Sequence, residues 1–191
     1  FYGAWRHLLG GQTWSPFMDP DVFPNSIEYW GPNGMVFFRT IHIEYKPWVH
    51  DKSYATIAAE RPGASADQGN YADRVELESV VPRSPAPDLS ANVHVAGPWG
   101  HVQLAGILRY IKWDDVGMAP TVVEGHAWGW GVNLSANIKL APALLKLQAV
   151  YGEAIQNYMN DAGADIGPVA STNPARPISG EALAMLGIVA F

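Results

Sequence analysis

Through the second half of the chain, apolar and polar residues alternate with a period of two over unusually long runs. Leu89, Ala91, Val93 and Val95 alternate with Ser90, Asn92, His94 and Ala96, and Gly97-Pro98-Trp99-Gly100 then makes a compact turn. The return run sets Val102, Leu104, Gly106, Leu108 and Tyr110 against His101, Gln103, Ala105, Ile107 and Arg109. The cleanest run sets Trp128, Trp130, Val132, Leu134, Ala136, Ile138 and Leu140 against Gly129, Gly131, Asn133, Ser135, Asn137 and Lys139. Successive side chains of a strand point to opposite faces, so each run has one apolar face and one small or polar face. Ala141-Pro142-Ala143 turns the chain into Leu145, Leu147, Ala149 and Tyr151 against Lys146, Gln148, Val150 and Gly152, and Glu181 to Phe191 reads as a last strand.

The first part of the chain follows the same grammar. Phe1 to Trp5, a break at Arg6-His7 and Leu8 to Trp14 read as a hairpin with Leu9, Gly11 and Thr13 on one face. Met35 to Lys46 reads as a strand with Ile41, Ile43 and Tyr45 on one side and Thr40, His42, Glu44 and Lys46 on the other. Arg39 has the apolar parity, which puts it at the loop edge or after a bulge. Ser53 to Arg61 is a shorter strand, whereas Pro62 to Asn70, Tyr71 to Asp88, Asp114 to Val123 and Asn160 to Ser179 read as turns or loops. The sum is about nine strands, joined alternately by short turns and long loops, with no helical periodicity.

Alternation alone also suits a soluble sandwich. Three features favour a membrane wall. Gly129 to Leu140 runs about a dozen residues, against about five or six for ordinary strands and about nine to eleven for a tilted membrane strand. Short turns at one end and long loops at the other match outer-membrane barrels, and Tyr110, Trp128, Trp130 and Tyr151 sit near strand ends where an interfacial girdle belongs. The expected fold class is therefore all-β, an antiparallel transmembrane β-barrel, with residues 1–191 forming a single partial barrel domain. Both ends read as cut through a strand, so the chain is expected to be an interior piece of a longer protein whose flanks cover the two sheet edges.

One connection stands apart. Ser15 to Gly34 carries four prolines, four aromatics and the acids Asp19, Asp21 and Glu28, too stiff and sticky for a hairpin loop in water. It is expected to fold into the lumen as a constriction.

Composition narrows the chemistry. A net charge of -6 argues against a nucleic-acid partner, and zero cysteine removes disulfides and thiol chemistry. The six histidines lack metal-ligand spacing, so no metal or cofactor is expected, and His42, His94 and His101 read as lumen-facing imidazoles on separate strands. No nucleophile elbow, phosphate loop or dinucleotide fingerprint is present, and the chain does not read as an enzyme. A carboxylate pair such as Glu28 with Glu44 depends on a separation that sequence does not give.

Gly11-Gln12-Thr13-Trp14-Ser15, Phe17-Met18-Asp19, Phe23-Pro24 and Gly31-Pro32-Asn33-Gly34-Met35-Val36-Phe37 resemble the constriction-loop region of the DcaP-like outer-membrane porins. Gly100 to Gly106, Gly129 to Ser135 and Gln148 to Glu153 extend the likeness in order over nearly the whole chain. The resemblance implies a homotrimer of 16-stranded barrels in a Gram-negative outer membrane, against lipid and lipopolysaccharide. It also implies passive diffusion of small hydrophilic solutes, dicarboxylates and other anions among them. The chain departs from the family at Glu44 and Asn157, where basic residues are common, which weakens the expected anion preference.

In a pore, function is radius and field. Asp19, Asp21 and Glu28 would supply negative charge from the loop, and Arg39, Lys46, Arg109, Lys139 and Lys146 could supply positive charge from the wall, with His42, Glu44, His94, His101, Gln103 and Asn133 on the polar face. Those loop acids could equally cap turns. Lys139 and Lys146 flank a short turn and are expected to lie far from the narrow part. The rival reading is a soluble, Trp-rich β-sandwich that binds carbohydrate on aromatic platforms, which would not need such long strands with one unbroken apolar face.

Overall fold

A computed structural model describes residues 1–25, 32–63, 80–115, 125–160, 162–163, 165–170 and 178–191. Twelve strands are present among these residues: β1 (Tyr2–Trp5), β2 (Leu8–Trp14), β3 (Arg39–His50), β4 (Ser53–Glu60), β5 (Val80–Arg83), β6 (Asp88–Gly97), β7 (Gly100–Asp115), β8 (Gly125–Leu140), β9 (Ala143–Glu153), β10 (Ile166–Ala170), β11 (Ile178–Ala182) and β12 (Ala184–Ala190). The main sheet is antiparallel and follows the path β1-β2-β3-β4-β6-β7-β8-β9-β12, so nearly every strand pairs with its neighbour in sequence. β5 continues the line of β6 beyond the Pro85 and Pro87 interruption and pairs with the far end of β7. The pairing of β10 with β11 makes a separate hairpin. No helix among the described residues is long and apolar enough to cross a membrane, a statement that leaves strands aside.

Four connections are two-residue turns on one rim: Arg6-His7, Asp51-Lys52, Pro98-Trp99 and Ala141-Pro142. Arg6 and Asp51 take positive φ of 53° and 51°, the twist that tight hairpin turns demand. Connections at the opposite rim are long.

The faces of the sheet are inverted relative to a soluble domain. Ile41, Ile43, Ile57, Leu89, Val93, Leu104, Leu108, Val132, Leu134 and Ile188 are all exposed, while Thr40, His42, Thr56, Ser90, Asn92, Gln103, Asn133, Ser135 and Gln148 on the other face are buried. Among the described residues no second sheet covers the apolar side, which a sandwich would require. On β7 the outer face is free of charge from Val102 to Tyr110 and turns polar at Lys112. Nine residues rise ~27 Å along the strand and ~21 Å at barrel tilt, close to the ~25 Å apolar band of outer-membrane barrels. Tyr110 against Trp128 (4.9 Å) and Trp130 against Tyr151 (5.7 Å) mark its upper edge, and exposed Trp5, Trp48 and Trp99 sit by the two-residue turns at its lower edge. A shallow outer hollow of about 780 Å³, floored by Ala59, Ala91 and Gly106, is a dent in this apolar wall.

Several boundaries differ from the sequence reading. The strand expected from Met35 begins at Arg39 and continues through Pro47 to His50, with a register shift between Tyr45 and Trp48. Met35 and Val36 are wholly buried inside the loop, where Val36 bridges to Met159 and Phe37 N–H bonds the Tyr158 carbonyl at 2.9 Å. Asp114 lies within β7, which runs on to Asp115, rather than opening a loop, and strands β10 and β11 occupy part of the expected loop after Asn160.

Candidate functional site

The polar side of the sheet is a seat for Ser15 to Asn25 and Pro32 to Phe38. Pro16, Pro20 and Pro24 keep the first of these from pairing as a strand, since proline cannot donate to a ladder. Its carbonyls are taken up instead by wall side chains. Asn92 Nδ2 donates to Pro16 O at 2.9 Å, Asn133 Nδ2 to Phe17 O at 2.8 Å, Gln103 Nε2 to Met18 O at 3.1 Å and Asn137 Nδ2 to Asp21 O at 2.7 Å. The Lys146 ammonium donates to Phe23 O. The loop thus crosses β6, β7, β8 and β9 in turn, gripped by its main chain.

Asp19 is the pivot. Its carboxylate caps the 3-10 turn Pro20–Val22 by accepting the Asp21 N–H at 3.1 Å, and it accepts further hydrogen bonds from His101 Nε2 at 2.8 Å and from the Ser135 hydroxyl. Burial pushes the Asp19 pKa up, but hydrogen bonds from His101 and Ser135 outweigh it and hold the carboxyl below its ordinary value of 3.8. His94 stacks on His101 at 4.5 Å and Tyr54 on His94 at 4.7 Å, forming a row of rings across the wall. Asp19, Asp21 and His101 also lie close enough to hold a cation, but the bonds to His101, Ser135 and the Asp21 N–H already account for the Asp19 carboxylate.

A second inward segment, from Ala154 to Asn160, locks against the first. Phe17, Met18, Val36, Ile155, Tyr158 and Met159 form a buried cluster on the inner face with Ala105, Ile107 and Val150. Glycine in the wall makes the room: a Cβ on Gly131 would come within 2.9 Å of Ile155 Cγ2 and 3.1 Å of Phe17 Cζ. Arg109 is wholly engaged here, donating to Asp88 at 3.0 Å, to Asp165 at 2.9 Å and to the carbonyls of Ala154 and Gly63. The Tyr158 hydroxyl donates to Asp88 at 3.0 Å; burial, then the Glu60 charge, raise its pKa well above 10.0, so it stays a donor. Ser15 and Ser90 donate to Glu60, tying the loop's first residue into the same network.

The residues expected to line a pore therefore divide. His42, His94, His101, Gln103, Arg109 and Asn133 lie on the inner face but are buried, at 2%, 6%, 6%, 2%, 1% and 0% exposure, and four of them hold the loops. Arg39 lies on the exposed, outward side at the start of β3, 5.8 Å from the Trp14 ring. Asp21 is exposed on the inserted loop, Glu44 and Lys46 pair at 3.5 Å on the inner face, and Glu28 lies outside the described residues. Lys146, expected to be remote, grips the loop.

No family model and no curated protein matches the sequence. The solved structures do hold a match: the outer membrane channel DcaP of Acinetobacter baumannii superimposes with a TM-score of 0.73 over 99% of this chain, at 14% sequence identity. The fold is that of the DcaP channel. The chain spans about half of it, 49% of that channel's length. The DcaP likeness fits the inverted faces and the rim of short turns, and it bears out the sequence resemblance at the level of fold.

Proposed function

We propose that the chain is part of an outer-membrane porin that lets small hydrophilic solutes diffuse through a water-filled pore narrowed by the loop from Ser15 to Phe38. One observation carries this reading: large apolar side chains are exposed on all nine strands of the main sheet's path while the polar face is turned inward and crossed by a loop. Such a face is tolerated only against lipid, and strands can cross lipid only in a closed barrel. The reading includes a homotrimer of closed barrels in a bacterial outer membrane, in contact with lipid and lipopolysaccharide. Dicarboxylates and other small anions are the first solutes to assay. The neutralisation of Arg109 by two acids and the outward position of Arg39 take two of the expected wall cations off the path and leave Lys46 on the inner face.

The test is conductance of the full-length protein in planar bilayers. Discrete ion-conducting steps are expected, and deleting Asp19 to Glu28 raises their size. Full-length protein that stays in detergent-free solution and conducts nothing refutes the proposal.

A further inference from the structure

Between the start of the inserted loop and the inner wall of β2, β3, β4 and β6 lies a polar cleft of about 200 Å³, open on one side. Thr13, Glu44, Lys46, Tyr54, Thr56 and Asn92 line it, with Trp14 and the loop prolines at its mouth. Its polar capacity is not used up. The Glu44 carboxylate lies 3.5 Å from both the Lys46 ammonium and His42 Nε2, beyond good hydrogen-bond length, so it retains room to accept. The Lys46 side chain is 37% exposed and offers donors to the cleft.

The aromatic rings do not offer a sugar platform. Tyr54 is stacked on His94 at 4.7 Å from the β6 side and carries Lys46 Nζ at 5.0 Å from the β3 side. Trp14 carries Arg39 at 5.8 Å and meets Phe37 at 5.3 Å. Recognition falls to charge and hydrogen bonds. A volume of 200 Å³ is below the ~300 Å³ where drug-sized pockets begin, so the occupant is small.

Resting on the channel reading above, we propose that this cleft is a binding step for small bipolar solutes of amino-acid type, their ammonium meeting Glu44 and their carboxylate meeting Lys46. The test is swelling of liposomes containing the full-length protein, with alanine, glycerol and lactate as size-matched zwitterion, neutral and anion. Alanine is expected to enter about two- to fivefold faster than glycerol, the range that half-exposed ion pairs give. Glu44→Gln and Lys46→Met each abolish that advantage and Lys46→Arg keeps it, every alanine rate being read against the same variant's glycerol rate, which reports an intact pore. Equal alanine rates in wild type and variants overturn the proposal, as does lactate outrunning alanine with loss only in Lys46→Met, which would mark an anion step. No swelling with any solute removes the channel reading itself, and the cleft's role with it.

Discussion

Replacing Asp19 by alanine is expected to loosen the inserted loop. Its carboxylate is 2% exposed and accepts from His101, Ser135 and the Asp21 N–H. Its bonds from His101 and Ser135 are hydrogen bonds to a charged group, about 1.5–3 kcal/mol each and so about 3–6 kcal/mol together. The five wall-to-carbonyl bonds, at about 1 kcal/mol each, supply a similar sum, so Asp19 provides roughly half of the loop's grip. A loss of about 3 kcal/mol raises the released population more than a hundredfold. Single-channel recording of the full-length protein reads this directly, as flickering current and a broader spread of conductance. Acid provides an independent lever. The folded Asp19 pKa is lowered, so its contribution is complete above 3.8 and is lost as pH falls through the lower folded value. Wild type is therefore expected to acquire the flickering below about pH 3.8 and Asp19→Ala to show it at every pH. An Asp19→Ala channel with wild-type conductance, wild-type noise and the same acid response refutes the pivot.

The outward face and the glycine seat give two further tests. Leu134→Arg, at an exposed position on β8, is expected to destabilise the protein in lipid by about 2–4 kcal/mol, read by reversible unfolding in vesicles; a change under about 0.5 kcal/mol would mean that this face meets water. Gly131→Val drives side-chain atoms into Ile155 and Phe17, costs about 1–3 kcal/mol and displaces the loop, so limited proteolysis is expected to cut the Ser15 to Phe38 segment faster than in wild type.

The strands were legible because a two-residue period needs no knowledge of partners: Trp128 to Leu140 shows its two faces in the letters alone. Met35 to Phe38 misled because they continue an apolar run, yet their fate depends on Tyr158 and Met159, more than 100 positions away. Polarity marked Asn92, Gln103 and Asn133 as inward but could not say that a loop lies on them. The loop's extra contacts did leave a signal: Gly131 and Gly152 are register partners, and paired glycines on an inner face mean that something approaches closely. Arg109 read as a free cation because the two acids that neutralise it, Asp88 and Asp165, come from distant segments. Lys146 was misjudged for the same reason, since its partner Phe23 is 123 positions away.

Alongside the Asp19 carboxylate, the wall holds the inserted segment by five of its peptide oxygens. Such an anchorage is blind to identity: exchanging an outward-pointing residue such as Asp21 leaves the same oxygen in place for Asn137. In the channel proposed above, sieve and mounting would thereby be separate parts, and the character of the opening could be rewritten one residue at a time without unseating the piece that forms it.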